Sequence, residues 1–260
     1  MFEHLDDYLK SFNDKRLVLV FVNKPYLPIF ERWLRYFRSH DENKLLVIAL
    51  DNGAHEFNKA QGIDSLLIPL EGYESFLTTK KYDREEVMLL NSLWVLRVEV
   101  FQRVIDHGID IIHSDSDAFW LSNPIPDIIN QPYEVFVSVS DGHPRRIVDE
   151  WGFCLCMGFF FIRSTQATKV LFTRLRKFVD MFQDDQEAFN VMLRDEGIVW
   201  RSNNTDGNIG ELSELGIVVR ALDTKFISRK PEKGIAVYHA FLKGSLEEKL
   251  LKVDEDLIKL

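Results

Sequence analysis

The chain has 260 residues, 46% hydrophobic and 28% charged, with a formal net charge of -9 and a pI near 5.3. A chain of this length buries most of the surface its unfolded form exposes and fits one domain. Its acidic balance argues against broad electrostatic binding to nucleic acid or anionic lipid, so an anionic ligand would need a metal or a few focused cations.

The start, "MFEHLDDYLK", lacks a basic segment followed by an apolar core, so no secretory signal is expected. The longest apolar run, "FCLCMGFFFI" from Phe153, is far shorter than the roughly 20 residues of a membrane span, and no transmembrane segment is expected. Cys154 and Cys156 stand two apart, where a disulfide would be strained. Free thiols in a cytoplasmic protein, free or peripheral at a membrane face, are the simpler expectation. No other residues lie at zinc-site spacing from them.

In chain order, "RLVLVFVN" (16–23) is a Val-rich run that suits a strand buried on both faces. "PYLPIFERWLRYFRSH" follows with prolines early and apolar residues at helical spacing. "KLLVIALD" predicts a second strand ending at Asp51, "AHEFNKAQG" a short helix closed by Gly62, and "SLLIPL" a third strand. From about Glu85, Leu89, Leu93, Leu96, Val100 and Val104 mark a long amphipathic helix, with His107-Gly108 as its stop, feeding the strand "IDIIHS". Strand, helix, strand in this order predicts a parallel α/β sheet, whose ligands bind beyond the carboxyl ends of the strands. Asn23, Asp51 and the pair Asp115 and Asp117 all fall there.

The second half is more mixed. "EVFVSVSD" and "GFFFIRS" predict strands; "TQATKVLFTRLRKFVDMF" and "DDQEAFNVMLRDEG" predict helices capped by Thr165 and Asp184. Short strands are expected at "GIVWRS", "GIVVRALD" and "GIAVYHA", then a helix over "SLEEKLLKVDEDLIKL".

"DSD" at 115–117 places two mutually repelling carboxylates one residue apart. Such oxygens suit Mg²⁺ or Mn²⁺, ions that often bind through one or two carboxylates plus substrate phosphates. An Asp-Ser-Asp turn that bonds only to local backbone is the alternative. A D-x-D after an apolar strand also occurs in haloacid-dehalogenase-type phosphatases, although on their first strand. A nucleotide-sugar-binding protein without catalysis is a further alternative.

Several segments in order carry a family resemblance: "VFVNKPYLPIFERWL", "LLVIALD", "VLRVEVFQRVIDHGIDIIHSDSDAFWLSNPIP", "MGFFFIRST", "DDQEAFN" and "YHAFLKG". Together they resemble the nucleotide-diphospho-sugar transferase family of GT-A glycosyltransferases. That family includes plant cell-wall xylosyl- and arabinosyltransferases and a cytoplasmic protist galactosyltransferase. The resemblance implies one α/β GT-A domain over 1–260, with a mostly parallel central sheet flanked by helices and a smaller mixed acceptor-side region. Residues to about 122 would form the nucleotide half and 123–260 the sugar and acceptor half.

It further implies a metal-dependent transferase that retains anomeric configuration, moving a sugar from a UDP-linked donor to a glycan, protein or lipid-linked acceptor. Asp115, Asp117 and His239 would hold the metal, Mn²⁺ ahead of Mg²⁺ because imidazole is among its ligands. Asn23, Asp51, Arg97, Asp115, Lys243 and Lys249 would bind the donor, and Asp185 and Gln186 would face the reacting sugar. Each has a plainer role: turn chemistry for Asn23 and Asp51, a snorkelling stem for Arg97, a helix N-terminus for Asp185 and solvent for Lys249. Trp151, Trp200 and Arg201 suggest an acceptor platform or, for the tryptophans, core packing. Where relatives carry a small polar residue before the glycine of "GFFFIRST", this chain has Cys156-Met157, which alters that contact.

Overall fold

A computed structural model describes residues 2–40, 44–70, 85–140, 142–203 and 207–260. The first half alternates as expected, after a helix α1 (Glu3–Ser11) that buries Leu5 and Leu9. There follow β1 (Arg16–Val22), α2 (Leu27–His40), β2 (Leu45–Ala49), α3 (Asn52–Ala60), β3 (Asp64–Leu67), α4 (Glu85–Asp106) and β4 (Asp110–Ser114). Of the stripe read on α4, Leu96, Val100 and Val104 are buried; the side chain of Leu89 lies outside the described residues. Gly108, at φ +84°, turns the chain from α4 into β4, a backbone state that glycine adopts without a Cβ clash.

A short β5 (Ala118–Trp120), α5 (Ile125–Ile129), β6 (Val135–Ser140), α6 (Arg145–Trp151) and β7 (Cys154–Ile162) come next. The chain continues with α7 (Gln166–Phe182), α8 (Asp185–Asp195), β8 (Val199–Asn203), β9 (Gly207–Leu212) and β10 (Ile217–Leu222). It closes with β11 (Ile227–Ser228), β12 (Val237–His239) and α9 (Leu246–Lys259). Thr165 and Asp184 cap α7 and α8 through their side chains, as their positions suggested.

Nine strands form one sheet in the order β3-β2-β1-β4-β7-β6-β10-β9-β8, and β11, β12 and β5 form a second. The run β3-β2-β1-β4 is parallel; β7 is antiparallel to both β4 and β6, while β10 is parallel to β6 and antiparallel to β9. Alternation along β1 explains the layers. Leu17 and Leu19 pack in a core with α1, α4, α7 and α8, while Val18, Val20 and Val22 join a second core with α2, α5, α9 and the small sheet.

Two local features aim this frame at one edge. Between β6 and β7 the register shifts: Val137 opposes Phe160, yet the next residue, Ser138, opposes Cys156. Met157, Gly158 and Phe159 are therefore bulged out of the β6 ladder, a device that re-aims backbone groups beside active sites. Parallel strands β1, β2 and β4 all finish at the same edge of the sheet, at Asn23, Leu50-Asp51 and Asp115, with β4 paired directly to the bulged strand β7.

Candidate active site

The acidic turn after β4 is tied down from both sides. Ser114 Oγ accepts hydrogen bonds from the indole nitrogens of Trp33 (3.1 Å) and Trp120 (3.2 Å), and Trp33 also donates to the Ala118 carbonyl at 2.9 Å. Asp115 N donates to the Gly158 carbonyl at 2.7 Å, and Ala118 N to the Asp115 carbonyl at 3.0 Å. Ala240 N donates to the Asp117 carbonyl at 2.9 Å, while β12 pairs antiparallel with β5 so that His239 opposes Ala118. The imidazole is thereby delivered onto the two carboxylates.

His239 Nε2 lies 3.4 Å from Asp117 Oδ1 and 3.8 Å from Asp115 Oδ2. One ligand atom from each of the three residues falls within 4.8 Å of the others. The floor under them is Gly158: a Cβ there would meet His239 Cε1 at 2.3 Å and Asp115 Oδ2 at 2.5 Å. The glycine of "MGFFF" is thus required by close approach and not by backbone angle. Two carboxylates and one imidazole, packed against a glycine that leaves no room for a side chain, form a donor set suited to a divalent ion. Burial and Arg229 push the His239 pKa down, but hydrogen bonds to Asp117 and Cys156 outweigh them and raise it to about 9.

Arg97 on α4 is buried beside this set. Its Nη1 is 3.2 Å from Asp115 Oδ1, its Nη2 donates to the Met157 carbonyl at 2.6 Å and reaches His113 Nε2 at 2.9 Å. Its Nε stands 3.1 Å from Asp185 Oδ2, an ion pair by distance, although neither atom is aligned for a hydrogen bond. The bulged carbonyl of Met157 is what gives Nη2 its acceptor. His113 is held from behind, Nδ1 donating to the Leu19 carbonyl at 3.0 Å. Burial and the neighbouring Arg97 lower the His113 pKa to about 4, so the neutral ring accepts from Arg97. Burial opposes ionisation of Asp115, but Arg97, with His239, outweighs it and holds its pKa well below the usual carboxylate range. Asp185 moves the other way, to about 7, because burial, Asp184 and Asp115 outweigh Arg97. The anionic partner that a core-side arginine requires is therefore double, Asp115 and Asp185.

Asp185 is placed by α8, whose Asn190 acts as a substitute strand partner: it exchanges two 2.8 Å hydrogen bonds with the backbone of Leu155 on β7. Arg97, Asp115, Asp117, Asp185, Gln186 and His239 all line one cleft of about 380 Å³, with Cys156, Arg229 and Phe241. Gln186 donates its side-chain amide to the His143 carbonyl. Lys243 and Lys249 lie outside this lining: Lys243 sits 4.7 Å over the Phe241 ring, and Lys249 donates to the Tyr26 hydroxyl at 2.7 Å, near the end of β1.

Asn23 and Asp51 are both engaged with backbone. Asn23 Oδ1 accepts from Tyr26 N at 3.2 Å; Asp51 Oδ1 caps α3 through Ala54 N at 2.8 Å, and its Oδ2 accepts from Lys24 N at 2.7 Å. Trp151 and Trp200 belong to an aromatic cluster with Phe153, ring centres 5.0–6.1 Å apart, packed on the core, whereas Arg201 is exposed beside Glu211. Sequence reasoning missed His113, Asn190 and Arg229. The signal for His113 was available, a lone imidazole in an otherwise apolar strand; Arg229 lies in a stretch with no periodicity to orient it.

A parallel sheet that turns antiparallel at β7, with an acidic turn at the end of its fourth strand, defines the GT-A class of glycosyltransferase fold. Solved structures agree. Mouse xyloside xylosyltransferase 1 matches at a TM-score of 0.56 and 12% identity, covering 88% of this chain and 98% of that one. An active-site mutant of LgtC matches at a TM-score of 0.53 and 12% identity, covering 92% of this chain and 95% of that one. The sequence profile of the nucleotide-diphospho-sugar transferase family matches residues 40–252, and the chain belongs to that family.

Among its relatives, an arabinosyltransferase of Arabidopsis thaliana is 24% identical over 200 residues, 70% of this chain and 29% of that protein. A UDP-galactose:fucoside alpha-3-galactosyltransferase of Dictyostelium discoideum is 27% identical over 101 residues, 39% of this chain and 16% of that protein. The chain thus spans less than a third of the length of either. No described helix is long and apolar enough to cross a membrane.

Proposed function

We propose that this chain is a metal-dependent retaining glycosyltransferase that takes a sugar from a UDP-linked donor and gives it to the hydroxyl of a glycan, protein or lipid-linked acceptor. The convergence of Asp115, Asp117 and His239 over Gly158 carries this reading. These three residues would hold a divalent ion, Mn²⁺ before Mg²⁺, which when bound neutralises charge on the departing diphosphate. Asn23 and Asp51 at the strand ends, with Lys249 on Tyr26, would border the nucleotide; Lys243 would approach the diphosphate. Arg97 fixes Asp115 and Asp185 relative to each other, and Asp185 and Gln186 present polar atoms to the sugar face of the cleft. Retention is supported by the family resemblance, as is the division into a nucleotide half to about residue 122 and a sugar half beyond it. Cytoplasmic action, free or at a membrane face, fits the two free cysteines.

The test is incubation of the full chain with UDP-sugars and Mn²⁺, with and without EDTA, reading released UDP. Metal-dependent hydrolysis of a UDP-sugar should fall by at least about 1,000-fold in Asp117→Ala. Thermal stabilisation by UDP without turnover on any donor would instead make this a binding protein, and phosphate release from phosphomonoesters would contradict the reading outright.

A further inference from the structure

Two guanidinium groups face the cleft, and they differ in what they touch. Arg97 is enclosed by Asp115, Asp185, His113 and the Met157 carbonyl. Arg229 follows β11, which runs parallel to β12 with Ser228 opposite Tyr238, and it lines the same cleft as His239. Its Nη2 lies 3.0 Å from Cys156 Sγ, and its guanidinium carbon is 6.0 Å from the centre of the Phe241 ring. Among the described residues no carboxylate pairs with it. A guanidinium offers five N–H donors, and a thiol sulfur is a weak acceptor for one of them. A partly buried cation so poorly matched is costly unless something else supplies its partner. An incoming anion can reach Arg229 without displacing a carboxylate, whereas to reach Arg97 it must displace Asp115 or Asp185.

We propose that Arg229 is the anion-binding cation of this cleft, donating to an anionic oxygen of the bound donor. That oxygen belongs either to the diphosphate or to a carboxylate on the transferred sugar. The proposal rests on the nucleotide-sugar reading above. It also assigns a purpose to Cys156, whose sulfur seats the guanidinium at 3.0 Å.

Isothermal titration of the full chain with Mn²⁺ and three probes, UDP, UDP-glucose and UDP-glucuronic acid, tests it in the wild type, Arg229→Gln and Arg229→Lys. If the diphosphate is the partner, Arg229→Gln weakens all three about tenfold. If a sugar carboxylate is the partner, only UDP-glucuronic acid weakens by that factor. Arg229→Lys keeps the charge but loses the fork, so its loss is smaller, about threefold, and it carries the comparison if the glutamine variant does not fold. Equal affinities of wild type and variants for every probe overturn the proposal while leaving the nucleotide-sugar reading intact. A loss shared by both UDP-sugars with UDP unchanged puts Arg229 on a neutral hydroxyl and overturns the anion assignment. A wild type that binds none of the probes sinks the nucleotide-sugar reading and this proposal with it.

Discussion

Asp115 belongs to two polar clusters of opposite character, and the contrast between them explains the site. On one side, Asp115, Asp117 and His239 bring two acids and one base together over a bare glycine. On the other, Arg97 sits between Asp115 and Asp185 with His113 and a bulged carbonyl completing its shell. The second cluster is nearly self-sufficient and buried, so it acts as a frame. The first has more acceptor atoms than donors, a state that calls for a cation. A frame that holds one oxygen of a carboxylate while leaving the other toward a ligand is how the two are coupled through one side chain.

The contrast can be broken most severely at its floor. Gly158→Ala would drive a methyl into His239 and Asp115, and Mn²⁺ affinity measured by calorimetry should fall at least about 100-fold, with circular dichroism showing a folded chain. A retained affinity would mean the three residues are not the ligand set.

Next comes the frame itself. Arg97→Met leaves Asp185 buried without its cation, which should cost roughly 3–5 kcal/mol and lower the melting temperature by about 10 °C. A loss of activity with unchanged melting would show that Arg97 acts on ligand and not on the fold.

Proton linkage sharpens the difference further. With its pKa raised to about 9, His239 carries a proton at neutral pH and must release it to bind a metal. Apparent Mn²⁺ affinity should therefore rise about tenfold per pH unit from pH 6.5 towards 9. In His239→Gln that slope should vanish.

The smallest expected effect lies in the frame. Asp185, raised to about 7 in the folded chain, contributes stability that is fully present below its unfolded pKa near 4. That contribution is lost as pH rises through about 7. In EDTA, the urea midpoint of the wild type should decline across this window more steeply than that of Asp185→Asn; parallel curves would place the Asp185 pKa near its ordinary value.

Legibility in the sequence followed the range of the interactions. Periodicity exposed β1, β2, β4 and α4 because each buries a continuous apolar face, and the acid pair stood at a strand end that any parallel sheet would make a site. Caps at Thr165 and Asp184 were visible because their partners lie within three residues. What stayed hidden was set by contacts across the chain. The bulge at Met157–Phe159 depends on how β6 aligns with β7, and nothing within "CLCMGFFFI" announces it. Arg97 read as a donor-binding or snorkelling residue, and that it would find two carboxylates, on β4's turn and on α8, required the packing of three elements. Of the small sheet, β12 lies within the expected strand "GIAVYHA", whereas β5 and β11 are runs of three and two residues, below the length at which alternation is informative.

His239 enters the site through the pairing of β12 with β5 and the hydrogen bond between Ala240 and Asp117, joining parts of the chain more than a hundred residues apart. On the ribosome, the two aspartates leave the exit tunnel long before the imidazole that completes them. A nascent chain therefore holds an open acidic turn until β12 has been made. A chain cut before β12 would carry both aspartates and lack the third ligand.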